Sequence, residues 1–309
     1  MTDLLQLVPY LLGFHPVESA VAVLLRRRRV LLTARVDLGE AVAGLSDHLA
    51  RISRVHGADG VVLVACTSSP TAARTALESL TCDERLPPVL DAVHVDDGRW
   101  RSVLHDAGGV IESGRLAAEA VYAGLVAASD RSHAVAAAQP PPTQRLAALA
   151  ATTRAAQVLV AGRTREARVA DAVDLVSRWP GGVVAADAAV PLEPSELVRL
   201  GVLVGDVETR DELIMMLRTD NADAMVACWS EVLTVLPDEL AVGPLCLLGL
   251  AAWVSGNGAL LVRCIERADQ CDPGYSLTRL LGQIADQAVP PSAWSRMGGF
   301  GRAGSVGEH

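Results

Sequence analysis

Three consecutive prolines, Pro140, Pro141 and Pro142, separate two stretches of the chain that have different hydrophobic periodicities. Proline fixes φ and donates no backbone hydrogen bond, so neither a helix nor a central strand can continue through this point. Each flanking stretch is long enough to bury a core of its own. We therefore predict two domains, residues 1–138 and 144–297, joined by a proline-rich linker at residues 139–143.

Residues 1–138 alternate between the two-residue period of strands and the 3.6-residue period of helices. Aliphatic runs predict strands at residues 20–25, 30–36, 60–66, 89–95 and 99–104. Apolar stripes predict helices near the N-terminus and at residues 42–56, 72–80 and 116–138, the last with Ser132-His133 as a candidate interruption. Arg26–Arg29 and Asp97-Gly98 are placed as hairpin turns, and Asp-Gly favours a two-residue turn with positive φ. This order predicts an α/β domain with a mixed sheet.

The pattern after residue 143 is helical almost to the end. Predicted helices cover residues 144–160, 165–179, 195–204, 207–218, 222–236, 241–254, 259–271 and 275–289. Small and apolar residues from Leu245 to Pro273 have a spacing weakly similar to that of a tetratricopeptide repeat. We predict an all-helical domain of stacked helical hairpins. The glycine-rich residues 298–309 are predicted to be a disordered tail.

Charge and residue usage exclude several mechanisms. All 27 basic residues are arginine, so no lysine is present to form a Schiff base or to serve in a phosphate-binding loop. The 36 acidic residues give a net charge of −9, and neither half is basic. Binding to nucleic acid requires a basic surface, so we expect none.

The sequence also bears on the compartment. The six cysteines form no Cys-x-x-Cys pair, and we expect reduced, buried thiols and no metal site. The N-terminus lacks the basic start of a secretory signal. Residues 240–262 are uncharged, but Gly256-Asn257-Gly258 interrupts them, so we expect no membrane span. These features predict a cytoplasmic protein.

Several sequence blocks resemble one known family. They are LQLVPYLLGFHPVESAV at residues 5–21, TARVD at 33–37, VDDGRWRS at 95–102 and DPGYSL at 272–277. Together they resemble an uncharacterised actinobacterial family catalogued as domain of unknown function 4192, over most of the chain. The resemblance implies no activity, cofactor or catalytic residue. Family members often carry a Cys-Cys-Pro element after the tryptophan hairpin, whereas residues 104–114 here contain no cysteine.

The segment Gly13-Phe14-His15-Pro16 is the most site-like part of the sequence. His15 lies on a predicted connector between a helix and a strand, with Glu18 three residues later, and such a histidine can act as a base or bind a ligand. In the alternative interpretation His15 only caps a backbone carbonyl and Phe14 packs under the sheet. If the second strand ends nearby, Arg35 and Asp37 join His15 and Glu18 in a ligand site at the sheet edge.

Other candidates have simpler explanations. Asp96 and Asp97 beside Trp100 form either a carboxylate pair or an exposed hairpin tip. The four arginines 26–29 can bind an anion or simply be solvated. His94, His105 and Asp106 have the residue types of a metal site, but they fall on different strands of one hairpin.

Trp229 and Trp253 lie on predicted helices of the second domain. They are core anchors in one interpretation and contacts for a protein partner in the other, since tryptophan is frequent at binding hot spots. We therefore hypothesise an interaction or scaffold protein that acts through its helical half, by binding a partner or another copy of itself. The alternative is a small-molecule-binding protein or enzyme with a site near the GFHP segment. The sequence identifies no cofactor.

Overall fold

A computed structural model describes residues 1–39, 42–112, 114–122, 127–180 and 191–297. The chain divides into two compact units, Met1–Ala134 and Val135–His309. The predicted tail at residues 298–309 lies outside the described residues. The predicted linker at residues 139–143 lies within the second unit, where the buried Arg267 guanidinium donates to the carbonyl oxygens of Ala138 at 3.3 Å and Gln139 at 2.9 Å.

The first unit has six strands and five helices among its described residues. In chain order they are α1 (Thr2–Leu12), β1 (Ser19–Arg26), β2 (Arg29–Asp37), α2 (Val42–His56), β3 (Gly60–Cys66), α3 (Pro70–Thr81), β4 (Val89–Asp96), β5 (Arg99–Ser102), β6 (Gly108–Val110), α4 (Arg115–Tyr122) and α5 (Arg131–Ala134). The strand order is β2-β1-β3-β4-β5-β6, and among these described strands only β3 and β4 pair in parallel. The predicted mixed sheet is confirmed.

Both faces of the sheet are covered. Every residue of β3 is buried, as its continuous aliphatic run predicts. Val62, Val64 and Cys66 pack in one cluster with Leu5 and Val8 of α1. The alternate residues of β3 are buried as well, and α3 contacts β3 and β4 as the crossover between these parallel strands.

The two predicted hairpins are present. Asp97 and Gly98 have φ values of 44° and 70°, which is the conformation that a two-residue turn of this kind requires. Arg27 and Arg28 also have positive φ, at 49° and 63°, although arginine does not favour this region.

One prediction for the first unit was wrong, and one strand was missed. The helix predicted at residues 116–138 is interrupted before α5 and not at Ser132-His133, because Ala128 pairs with the α1–β1 connection and Asp130 accepts the amide hydrogen of His133 at 3.0 Å. Strand β6 was not predicted; two of its three residues are glycine, which has a low strand propensity. A Cβ atom at Gly109 would lie 2.9 Å from the indole nitrogen of Trp100, so glycine lets this strand pass the tryptophan.

The second unit is helical throughout its described residues. Its helices are α6 (Thr143–Ala161), α7 (Arg165–Ser177), α8 (Pro194–Leu203), α9 (Val207–Met216), α10 (Ala222–Leu233), α11 (Val242–Val254), α12 (Gly258–Cys271), α13 (Ser276–Asp286) and α14 (Ser292–Met297). Consecutive helices such as α10 and α11, and α11 and α12, contact each other as hairpins. The predicted similarity to a tetratricopeptide repeat is not confirmed.

The uncharged stretch at residues 240–262 forms parts of two helices, because Gly256 adopts a φ of 86° between α11 and α12. Among the described residues, no helix has the length and apolar character needed to cross a membrane.

Candidate functional site

The carboxyl ends of β3 and β4 lie side by side at one end of the sheet, where Cys66 pairs with Val95. Strand β1 begins at the same end, since Ser19 pairs with Cys66. The β4–β5 turn and the end of β6 complete this edge, and the Ile111 amide donates to the Gly98 carbonyl at 2.7 Å. Open α/β sheets commonly bind ligands beyond the carboxyl ends of their parallel strands.

A cavity of about 620 Å³ lies at this end of the sheet. Helix α1 lines it with Leu5, Gln6, Val8, Pro9 and Tyr10, and the connection to β1 lines it with residues from His15 to Glu18. The strand ends contribute Thr67, Ser68, Asp96, Asp97 and Glu112. Its volume falls in the range of pockets that hold small organic molecules, about 300–1,000 Å³.

Backbone hydrogen bonds fix the segment that carries His15. Gly13 ends α1 in the left-handed conformation, with a φ of 81°. The Ala128 amide donates to the Gly13 carbonyl at 2.8 Å, and the His15 amide donates to the Ala128 carbonyl at 3.1 Å. The His15 side chain is exposed at the cavity and has no hydrogen-bond partner among the residues that the structure describes. Its imidazole is therefore available to a ligand.

Glu18 is held more rigidly than an exposed glutamate usually is. Its φ is 42°, a region that non-glycine residues rarely adopt. Its carbonyl accepts the Leu38 amide hydrogen at 2.9 Å, and its carboxylate accepts the Thr67 hydroxyl at 2.8 Å. A nitrogen of His94 lies 2.8 Å from the Thr67 carbonyl oxygen. Strained residues that the surroundings hold in place are common at binding sites.

Arg35 and Asp37 do not line the cavity. The Arg35 guanidinium donates to the Ser19 hydroxyl at 2.8 Å, lies 2.5 Å from the Asp37 carboxylate and stacks 5.8 Å from the centre of the Phe14 ring. The buried Ser19 hydroxyl donates to the Val17 carbonyl at 2.6 Å. These contacts brace the segment between Phe14 and Ser19, so Arg35 is placed to position His15 and Glu18 rather than to touch a ligand.

The remaining candidates have structural contacts. Trp100 donates to the Thr2 hydroxyl at 3.1 Å and packs with the α1 cluster, whereas Asp96 and Asp97 line the cavity. His105 lies 3.3 Å from the Leu90 carbonyl oxygen, and the described residues contain no group of three side chains that could hold a metal ion. Burial raises the pKa of the Cys66 thiol to about 12, although Arg35 lowers it, so this thiol at the cavity is neutral at physiological pH.

Trp229 and Trp253 lie in the core of the second unit, with exposed fractions of 3% and 4%. Trp253 donates to the Val289 carbonyl at 2.7 Å and makes an edge contact with Trp294, with ring centres 6.1 Å apart. A partner could touch these indoles only if the helices separated. The two tryptophans therefore offer no surface for the contact that we hypothesised.

A smaller cavity of about 320 Å³ in the second unit is lined by Arg263, Arg267 and Asp238. Arg267 already donates to the Asp238 carboxylate at 2.6 Å and to the carbonyls of residues 138 and 139. These hydrogen bonds occupy the Arg267 guanidinium and hold the start of the second unit in place, so they explain this arginine without a ligand.

Sequence reasoning missed most of the cavity lining. Of the four predicted site residues, the structure brings His15 and Glu18 into the cavity and places Arg35 and Asp37 behind them. Gln6, Tyr10, Thr67, Ser68 and Glu112 were not predicted. The polar run after β3, Thr67-Ser68-Ser69, was a usable signal, because it follows a buried strand and precedes a helix.

The fold and the cavity thus define a two-unit protein that combines a mixed-sheet α/β unit with a helical unit. The family model described as Domain of unknown function (DUF4192) matches residues 2–292, and the chain belongs to this family. No curated protein and no solved structure matches the chain.

Proposed function

We propose that the protein binds a small organic molecule in the cavity at the carboxyl ends of β3 and β4. The observation that carries this proposal is the 620 Å³ cavity, which has both apolar and polar lining residues. The free imidazole of His15 and the fixed carboxylate of Glu18 supply polar contacts that can orient a ligand. Six unpaired cysteines support a reducing, cytoplasmic location for this function.

Ligand-dependent thermal stability tests the proposal. The full chain is screened against a panel of small metabolites, beside a variant in which Ser68→Trp fills the cavity. Ser68 is an exposed lining residue, so a larger side chain there blocks the cavity without disturbing the core. Thr71→Trp on the exposed surface of α3 is the matched control.

We expect a ligand that raises the unfolding temperature of the wild type and of Thr71→Trp but not of Ser68→Trp. His15→Ala should keep the fold and lose much of the shift. A shift that survives in Ser68→Trp, or the absence of any stabilising compound, would rule the cavity out as the binding site.

We infer self-association through the helical unit as a second function. The support is the exposed apolar side of α6, where Val158 and Leu159 are 76% and 45% exposed. Contiguous exposed apolar surface often marks a protein contact, and these two neighbouring side chains contribute to such a surface on one helix. The core of the unit already buries Trp229 and Trp253, so α6 is the surface that carries the inference.

Light scattering after gel filtration tests the self-association. A dimer of the 32.4 kDa chain is expected, and Val158→Glu should reduce it to the monomer. Glu replaces an apolar contact by a charge on an exposed helix, so it should leave the fold intact. A wild-type chain that remains monomeric at high concentration would refute this function.

A further inference from the structure

The cavity is lined by several acidic side chains and by no arginine. Its lining includes the carboxylates of Glu18, Asp96, Asp97 and Glu112 but no arginine. None of these four carboxylates forms an ion pair with a residue that the structure describes. All four residues are exposed, and some other exposed carboxylates do have an arginine partner, as Glu266 has Arg263 at 3.1 Å. The cavity lining therefore carries negative charge that no arginine of the described residues neutralises through an ion pair.

The carboxylates are spread along the edge of the sheet. Glu18 precedes β1 and Asp96 ends β4, with β3 between these strands. Adjacent strands are about 4.8 Å apart, so the backbones at Glu18 and Asp96 are separated by roughly 10 Å. Glu112 follows β6, two strands beyond β4. No three metal ligands come together among the described residues, so a single metal ion does not match this arrangement.

The lining between the carboxylates is largely apolar. Val64 and Val95 come from the parallel strands, Ile111 follows β6, and Pro9 and Tyr10 belong to α1. A ligand that matches both features has positive charges separated by methylene groups. An aromatic ring such as that of Tyr10 also interacts favourably with an ammonium group.

The carboxylate of Glu18 is preorganised for binding such a ligand. Its strained backbone and its hydrogen bond from Thr67 fix the carboxylate before any ligand arrives. A fixed group loses little conformational entropy on binding, so its interaction with a cation contributes more to affinity.

We propose that the cavity binds a linear aliphatic polyamine, with Glu18 at one end and the Asp96–Asp97 turn or Glu112 receiving the other ammonium groups. This inference rests on the proposed small-molecule function and names the chemical class of its ligand. It assigns the ligand a positive charge, which nucleotides, sugar phosphates and carboxylic acids do not have.

Isothermal titration calorimetry of the full chain with spermidine tests the inference. We expect one bound spermidine per chain and an affinity that falls as sodium chloride is added, because salt screens the attraction. Glu18→Gln and Asp96→Asn should each weaken binding roughly tenfold, as expected for the loss of a hydrogen bond to a charged group. Both substitutions keep an acceptor oxygen and the side-chain size.

Glu78→Gln is the matched control, because Glu78 is exposed on α3 in the same unit and lies outside the cavity lining. It changes the net charge equally and should leave the spermidine affinity unchanged. Octane-1,8-diol, a neutral chain with polar ends, should bind far more weakly. Melting curves of each variant separate a loss of binding from a loss of fold.

Three results would overturn the inference: no spermidine binding, equal weakening by Glu78→Gln, or equal affinity for the diol. The proposed small-molecule function fails separately. If a neutral or anionic compound binds the wild type and not Ser68→Trp, the cavity is a ligand site and only the polyamine assignment is wrong. If Ser68→Trp abolishes the binding of no compound, then both the small-molecule function and the polyamine assignment are wrong.

Discussion

Individual residues in this protein carry conformations that their side-chain type does not favour. Arg27 and Arg28 occupy the left-handed region of φ and ψ at the β1–β2 turn. Two-residue turns of this type usually have Asn and Gly at these positions. The Arg27 amide donates to the Asp59 carboxylate at 2.7 Å, which holds the turn in place. At Glu18 the same kind of strain lies beside a cavity, whereas at the arginine turn it lies on an open surface.

Replacing Arg28 by glycine should stabilise the first unit. Glycine reaches the φ of 63° without steric cost, so we expect a gain of about 1 kcal/mol in the free energy of unfolding. Chemical denaturation measures it. Arg29→Gly is the control, because residue 29 lies in β2 and glycine there should destabilise the sheet. If both substitutions destabilise, the positive φ at Arg28 is not the cause.

Glu196 should make the second unit sensitive to acid. The Arg178 guanidinium, at 2.6 Å, holds the pKa of this carboxyl below its ordinary value of 4.5, and the Glu193 amide adds to the effect. A pKa that is lowered in the folded state stabilises the fold above pH 4.5, and the stabilisation disappears as the pH falls through the folded value.

We therefore expect Glu196→Gln to cost about 0.5–1 kcal/mol at neutral pH, with the difference from wild type vanishing in acid. Denaturation curves between neutral and strongly acidic pH measure it. Glu212→Gln, on an exposed site of α9, should show little difference at any pH. A difference at Glu196 that persists in strong acid would contradict the ion-pair explanation.

At the scale of elements, helices approach closely where glycine replaces a side chain. A Cβ atom at Gly243 of α11 would lie 2.7 Å from the Val204 carbonyl oxygen, which belongs to the backbone after α8 and cannot rotate away. The DPGYSL segment is fixed similarly by its neighbours: Gly274 turns with a φ of 88°, and the buried Arg210 donates to the Tyr275 hydroxyl.

Alanine substitutions at two glycines should have opposite effects. Gly243→Ala forces α11 away from Val204 and should destabilise the second unit by about 1–3 kcal/mol. Gly282→Ala on α13 meets no atom within 4 Å and should stabilise it by up to about 1 kcal/mol, since alanine favours helix. Thermal unfolding of both variants checks the pair. Similar effects of the two would contradict the close contact at Gly243.

The sequence predicted elements well where the local pattern decides them. The helix Val42–His56 and strand Gly60–Cys66 have the predicted bounds, because their apolar spacing is regular. The sequence-based predictions failed where contacts between distant segments determine the local structure. The bridge from Ala128 to Phe14 breaks a helix from more than a hundred residues away, and the cavity joins segments as distant as Gln6 and Glu112. No local pattern contains that information.

At the scale of the whole molecule, the two compact units have separate cores. The α1 cluster of the first unit and the helical core of the second share no residue. We predict that a change in one core leaves the other largely unaffected, and that ligand binding in the first unit does not depend on the stability of the second.

Trp253→Phe tests this separation. It leaves the Val289 carbonyl without its donor and reduces the ring area in contact with Trp294, so it should cost about 1–3 kcal/mol in the second unit. Hydrogen exchange followed by mass spectrometry should show faster exchange in α11 and unchanged exchange in β1 and β3. Equal acceleration in both units would mean that they unfold together.

The most direct test of the account is native mass spectrometry of the full chain, purified gently and without added ligands, beside Ser68→Trp and Thr71→Trp. The account predicts an additional mass, that of a small organic molecule, on the wild type and on Thr71→Trp. That mass should be absent from Ser68→Trp, in which the cavity is filled. Two results would contradict the assignment of this cavity as the functional site. One is a chain without any bound molecule in all three samples, to which neither a metabolite of the panel nor a polyamine binds when added. The other is a bound molecule that Ser68→Trp retains.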